Sequence, residues 1–193
     1  MDSKVYINAM NAKKRKDNEN YIRDISGDFI EDIMSFVSIN SFSLRDEMMD
    51  DIEYIYSNCK FAVLREDSSE YQSSKGSIVL DSKLKNGSMY ISIKPDNIIS
   101  IRKVNISKNV DLYNFDVSLF NINLDTGKVA SNYFSFEDEN RNVKSRNYNR
   151  LCLNNSIHID SNFISKLNDD VESIRNNISL KEEKLNRKVR NIG

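Results

Sequence analysis

Apolar positions in this chain follow a helical period at both ends and a strand period between them. From about Asn18 to Ser38, Ile22, Ile25, Phe29, Ile33 and Phe36 recur at spacings of three and four, which predicts a helix. Gly27 falls inside it and marks a break or kink. Leu44, Met48, Ile52, Ile55 and Cys59 form a second stripe. Ser41 or Ser43 serves as its N-cap, and the run from Ser43 to Asp46 is a loose capping box. A link this short predicts an antiparallel helical hairpin over residues 18–64.

Residues 65–75 read as a polar loop, and from Gly76 the period switches to two. Ile78, Leu80 and Leu84 alternate on an outgoing strand, and Met89, Ile91 and Ile93 on its return. Between them, Asn86-Gly87 supplies the positive-φ pair of a type I′ turn. Pro95 to Asn97 is a second turn. Ile99 and Ile101 open a third strand, which Val104 to Ile106 continue after a bulge. A long alternating segment follows, with Tyr113, Phe115, Val117 and Leu119, then Ile122 and Leu124. Asp125 to Lys128 is the next turn, and a last strand runs from Val129 to Phe136. The expectation is an antiparallel meander of about five strands over 76–137. A basic loop with Arg141, Lys144, Arg146 and Arg150 covers 138–150, and Leu151 to Ile159 reads as a short extra strand.

The C-terminus carries the most regular pattern. Ser161 is read as an N-cap, and Ile164, Val171, Ile178, Leu185 and Ile192 recur every seven residues. Leu167 and Ile174 fill the intermediate seam positions before Lys181 and Lys188 replace them. Such a seam pairs with a second copy or a partner, or else packs on the N-terminal hairpin as a third helix. The fold class is therefore α+β: a helical hairpin, a central antiparallel meander and a long C-terminal helix. Its parts are a basic arm (1–17), one α+β domain (18–160) and the heptad-patterned helix (161–193).

Composition adds less. The chain has 193 residues, 39% hydrophobic and 30% charged, with a net charge of −1. No global charge points to nucleic acid or membrane, so electrostatic function must come from local patches. Asn and Ser are abundant and there is one Pro; Asn, Lys, Ile and Tyr have AT-rich codons, which suits low-GC bacteria, their phages and plasmids, or large DNA viruses. The N-terminus lacks a signal-peptide pattern and no apolar run could span a bilayer, so a cytoplasmic protein with reduced Cys59 and Cys152 is expected.

Catalytic chemistry has little to draw on. One histidine, His158, in an apolar context, excludes most nucleophile–base schemes and most zinc sites. Five scattered glycines build no phosphate loop. Leu124 to Gly127 echoes an aspartic-protease signature, but that chemistry needs two facing carboxylates, and a hairpin turn explains the run. Asp81-x-Lys83 resembles the acidic-x-Lys element of restriction-type nucleases, with Glu66, Asp67 or Glu70 as an upstream acid and a helical Glu53 behind. Tyr90, Tyr113, Phe115, Phe134 and Phe136, beside Lys94, Arg102 and Lys103, form either a stacking platform for single-stranded nucleic acid or the core face of the sheet.

These observations favour a protein that works by binding, with no enzyme activity, cofactor or metal expected. The first expectation is a protein-interaction module, in the form of a phage, viral or mobile-element accessory protein or inhibitor. It would meet a basic partner through an acidic helical face of Asp28, Glu31, Asp32, Asp46, Glu47, Asp50 and Asp51. Self-association would use Ile164, Leu167, Val171, Ile174, Ile178 and Leu185 in the C-terminal helix. The alternative is a nucleic-acid binder using Lys13, Lys14, Arg15, Lys16, Arg141, Lys144 and Arg146 with the basic tail, and a third reading is a Mg-dependent nuclease.

Overall fold

The computed structural model describes residues 3–40, 48–63, 76–109, 112–138 and 153–192. Three helices come first: α1 (Ser3–Ser26), α2 (Phe29–Asn40) and α3 (Met48–Asn58). Gly27 takes a φ of 51° between α1 and α2, so the expected break or kink is a break that ends α1. The basic run expected as an arm lies on α1, in one helix with Ile22 and Ile25. Among the described residues seven strands follow: β1 (Lys60–Val63), β2 (Ile78–Leu84), β3 (Gly87–Ile93), β4 (Ile98–Asn109), β5 (Leu112–Asn123), β6 (Lys128–Asp138) and β7 (Leu153–His158). Helix α4 (Ser161–Ile192) closes the order. The architecture is α+β, and the sheet is one antiparallel meander in strand order β1 to β7. Five of these strands are the predicted ones, and β7 matches the short extra strand. β1 was hidden because its four residues directly follow the apolar stripe of α3.

Register explains the core. Ile78, Ile93, Ile99, Ile122, Val129 and Ile157 pair in one row across six strands. Leu80, Ile91, Ile101 and Phe120 make the next row. The described, buried members of both rows belong to one apolar cluster with Ile22, Ile25, Phe29, Ile33 and Val37 of the first two helices, Ile55 of α3, and Leu167, Val171 and Ile174 of α4. All four helices therefore cover the same face of the sheet. Phe36 of α2 ties the layers together, edge-on to Phe120 at 5.2 Å and stacked on Phe163 at 5.9 Å.

Helix α4 holds the assembly through side chains aimed at backbone. The Arg175 guanidinium donates to Asn97 Oδ1 (3.2 Å) and to the Lys94 carbonyl (3.3 Å) in the β3–β4 turn. Asn168 donates to the Leu124 carbonyl at the β5–β6 turn, and Asn177 to the Asp24 and Ile25 carbonyls that end α1. Asp160, not Ser161, is the N-cap: its Oδ1 accepts from the Asn162 N–H at 3.2 Å.

The turns differ in detail from expectation. The β2–β3 loop is Lys85–Asn86, with neither residue at positive φ, so it is not type I′. Gly87 instead pairs with Leu84 and Asn105 inside the sheet, where a Cβ would run into the Val104 carbonyl. Glycine is required there for close strand approach. Asn97 supplies the left-handed residue of the β3–β4 turn at φ 62°. In the β5–β6 turn, Asn123 Oδ1 accepts from the Asp125 and Thr126 N–H groups, and Gly127 takes φ 71°, so the protease-like run is a hairpin turn.

β4 holds no bulge: its register with β5 is unbroken from Ile98 to Asn109. The apolar positions change sides while the strand continues. Ile99 and Ile101 face the helices, and Val104 and Ile106 face away. The change falls at Lys103, buried on the helix side against Asp51 of α3 at 3.3 Å, with both side chains under a tenth exposed. Lys103→Ala leaves the Asp51 carboxylate buried without this cation and lowers stability by about 3–5 kcal/mol. Chemical denaturation checks this. The double change Lys103→Met with Asp51→Leu recovers most of the stability, and equal destabilisation in single and double variants would contradict the ion-pair account.

Candidate functional site

Three consecutive strands repeat the change of sides. β5 places Tyr113, Phe115, Val117 and Leu119 away from the helices, then Phe120 and Ile122 toward them. β6 places Val129 toward them and Phe134 and Phe136 away. At one end of the sheet the helix side is therefore apolar, and at the other end the outer side is.

The outer apolar patch has two cross-strand rows. Val104, Val117 and Phe134 form one, and Ile106, Phe115 and Phe136 form the other. The Phe115 and Phe136 rings stack with centroids 4.7 Å apart and planes within 6°. Phe134 lies 6.3 Å from Phe136 at 19°. Val117 and Phe136 are buried, whereas Phe115, Phe134, Val104, Ile106 and Leu119 are half-buried. None of these outer residues belongs to the cluster under the helices, and among the described residues no helix lies over them.

Cations stand at both ends of the patch. Arg102 and Lys108 are both exposed on β4, six residues and so about 20 Å apart along the strand. Arg102 sits over the Tyr90 ring at 5.3 Å and Lys108 over the Tyr113 ring at 5.5 Å. Alternation puts Lys60, Lys83 and Lys128 on the same face, all exposed, against Asp81 as the exposed acid among the described side chains. The predicted platform residues Tyr90, Tyr113, Phe115, Phe134, Phe136 and Arg102 thus share one face, and it is not the core face. Lys103 is corrected to the opposite side, and Lys94 lies in the β3–β4 turn.

Two residues of the predicted acidic face are buried rather than solvated. Asp28 and Glu31 are exposed, but Asp32 is buried at 8% exposure and Asp51 at 3%. Asp46 and Glu47 lie outside the described residues, as does the side chain of Asp50. Helical spacing alone could not reveal that both buried acids have cationic partners distant in sequence, Lys103 for Asp51 and Lys166 for Asp32, the latter at 2.8 Å. The C-terminal seam is likewise taken up within the chain: Leu167, Val171 and Ile174 are in the core, and Ile164 and Ile178 pack against it. Leu185 lies outside the described side chains.

Of the basic candidates, Lys13, Lys14 and Lys16 are exposed on α1, while Arg141, Lys144, Arg146 and the Arg15 side chain are not among what is described. Asp81 and Lys83 lie on the outer face and Glu53 is exposed on α3 in the helical layer, so Glu53 does not join them, and Glu66, Asp67 and Glu70 lie outside the described residues. Among the described residues no group of three or more His, Cys, Asp or Glu is placed to hold a metal ion. Burial and the nearby Asp81 charge push the Cys59 thiol up to about 12, which keeps it protonated and poorly nucleophilic. Among the described residues no helix is long and apolar enough to cross a membrane.

No family model matches the chain, and neither does any curated protein or solved structure.

Asp32 also meets Asp170 of α4. Oδ2 of each carboxyl is buried without a donor, and one proton between the two groups satisfies both. Burial, then the hydrogen bond to Asp32 and its charge, push Asp170 up to about 8 against the opposing pull of Lys166. Its folded value lies above its unfolded one, so folding takes up a proton. The stabilisation is fully present below the ordinary carboxylate range and is lost as pH rises through about 8. The melting temperature should fall as pH is raised from about 5 to about 9, and Asp170→Asn should flatten that slope. An unchanged slope in Asp170→Asn would rule out this pair as its source.

Proposed function

We propose that this protein binds nucleic acid through the outer face of its sheet. The observation that carries the reading is the juxtaposition of Arg102 and Lys108, at the two ends of a half-buried aromatic and aliphatic patch, with Lys60, Lys83 and Lys128 exposed on the same face. A polyanion with flat apolar bases matches both features, since cations neutralise phosphates and rings accept bases. A chain of net charge −1 gains no such attraction from its overall charge, so the local excess is what matters. A second copy fits this face poorly, because like charges would be brought together.

Protein interaction through the acidic helices is the other reading, and it rests on exposed Asp28 and Glu31. It has the weaker support now that Asp32 and Asp51 lie inside, each beside a lysine. Reading the chain as a phage, viral or mobile-element factor has composition alone behind it.

A mobility-shift titration with DNA and RNA oligonucleotides at several salt concentrations tests the proposal. Binding should weaken steeply with salt, and Arg102→Glu with Lys108→Glu should abolish it at moderate salt without lowering the melting temperature. Neutral replacements should reduce the slope of log affinity against log salt by about 0.7 for each phosphate of a single strand that is no longer neutralised. Absence of salt-dependent binding, or unaltered binding by the charge-reversed variant, overturns the proposal.

A further inference from the structure

We infer that the ring cluster of Phe115, Phe136 and Phe134 is a base-stacking platform that selects single-stranded over duplex nucleic acid. The inference rests on the nucleic-acid reading of this face and adds the class of strand it takes. Phe136 is buried, at 7% exposure, with Phe115 opposite it on β5 and Phe134 two residues away along β6. Phe115 and Phe134 are nearly parallel to it, and both are half-buried. Each of these two partly open rings can take a flat ring against its exposed surface.

The surroundings fit an incoming base. Val104 and Ile106 on β4 and Leu119 on β5 are half-buried neighbours in the same and adjoining cross-strand rows, so a base meets an apolar floor. Arg102 and Lys108 stand beyond the rings in the two strand directions, where the sugar–phosphate backbone of a strand crossing the patch would leave it. Phe115 and Phe134 are the rings that a base would meet. Bases in a duplex are already stacked and paired, and their faces cannot reach a protein ring without unstacking. A single strand presents those faces freely, and stacking tolerates any base. An acidic protein would match the cations but gains nothing specific from the ring faces.

The chain contains no tryptophan, so Phe134→Trp reports on this site alone. The indole emission of the Phe134→Trp protein should be quenched by an oligothymidylate and not by a duplex. Phe134→Leu keeps an apolar side chain but removes the ring, and should bind the single strand roughly 5- to 150-fold more weakly at unchanged melting temperature. Equal affinity for single strand and duplex overturns the inference. So does parent-like binding by Phe134→Leu; if the Arg102 and Lys108 reversals still abolish binding in that case, the nucleic-acid reading stands and only stacking falls. Polyglutamate bound as tightly as the oligonucleotide, with no dependence on Phe134, also overturns it, in favour of an acidic protein partner. If no nucleic acid binds at all, both readings fall together.

Discussion

The buried contact between Lys103 and Asp51 is the point on which the two faces of the sheet turn. On one side of it along β4, Ile99 and Ile101 feed the core under the helices. On the other side, the helix-facing positions become polar, as in the Tyr133 hydroxyl donating to Asp116 at 2.9 Å. A lysine in that position is tolerable only because α3 brings a carboxylate to it, since an unpaired buried ammonium costs several kcal/mol. The pair therefore fixes where α3 sits over the sheet. It also marks where apolar residues stop facing inward and begin to face outward.

Helix α4 supplies the complementary constraint. Its seam residues Leu167, Val171 and Ile174 enter the core, while Asn168, Arg175 and Asn177 hold two sheet turns and the end of α1. A heptad repeat and a single-sided core helix share the same spacing over a few turns, so sequence left both readings open. What separates them is the set of polar residues between the seam positions. Their partners are backbone carbonyls some 44 to 153 residues away in sequence, which no local period encodes.

The same distinction between local pattern and distant partner governs what was legible. Helix and strand periods, the turn at Pro95 and the turn at Gly127 all follow from spacings of four residues or fewer, and they are present as expected. Asp32 and Asp51 were misplaced on the solvated acidic face, because each meets a lysine from another element. The bulge in β4 failed for a subtler reason. A shift in apolar phase is produced either by an extra residue in the strand or by apolar side chains changing faces. Only the register with β5 tells these apart.

That ambiguity is resolved by reading neighbouring strands together. β4, β5 and β6 each change phase, at Ile101 to Val104, at Leu119 to Phe120, and between Val129 and Phe134. A bulge in one strand would misalign it with its partners, whereas a coordinated change in three strands keeps every pair in register. Coordinated changes therefore predict a second apolar surface on the reverse of the sheet, located where the rings collect. The cations then limit what that surface can meet. Ordinary core packing would desolvate Arg102 and Lys108, and self-pairing would oppose them with copies of themselves. A flat, negatively charged chain satisfies the rings and the cations at once.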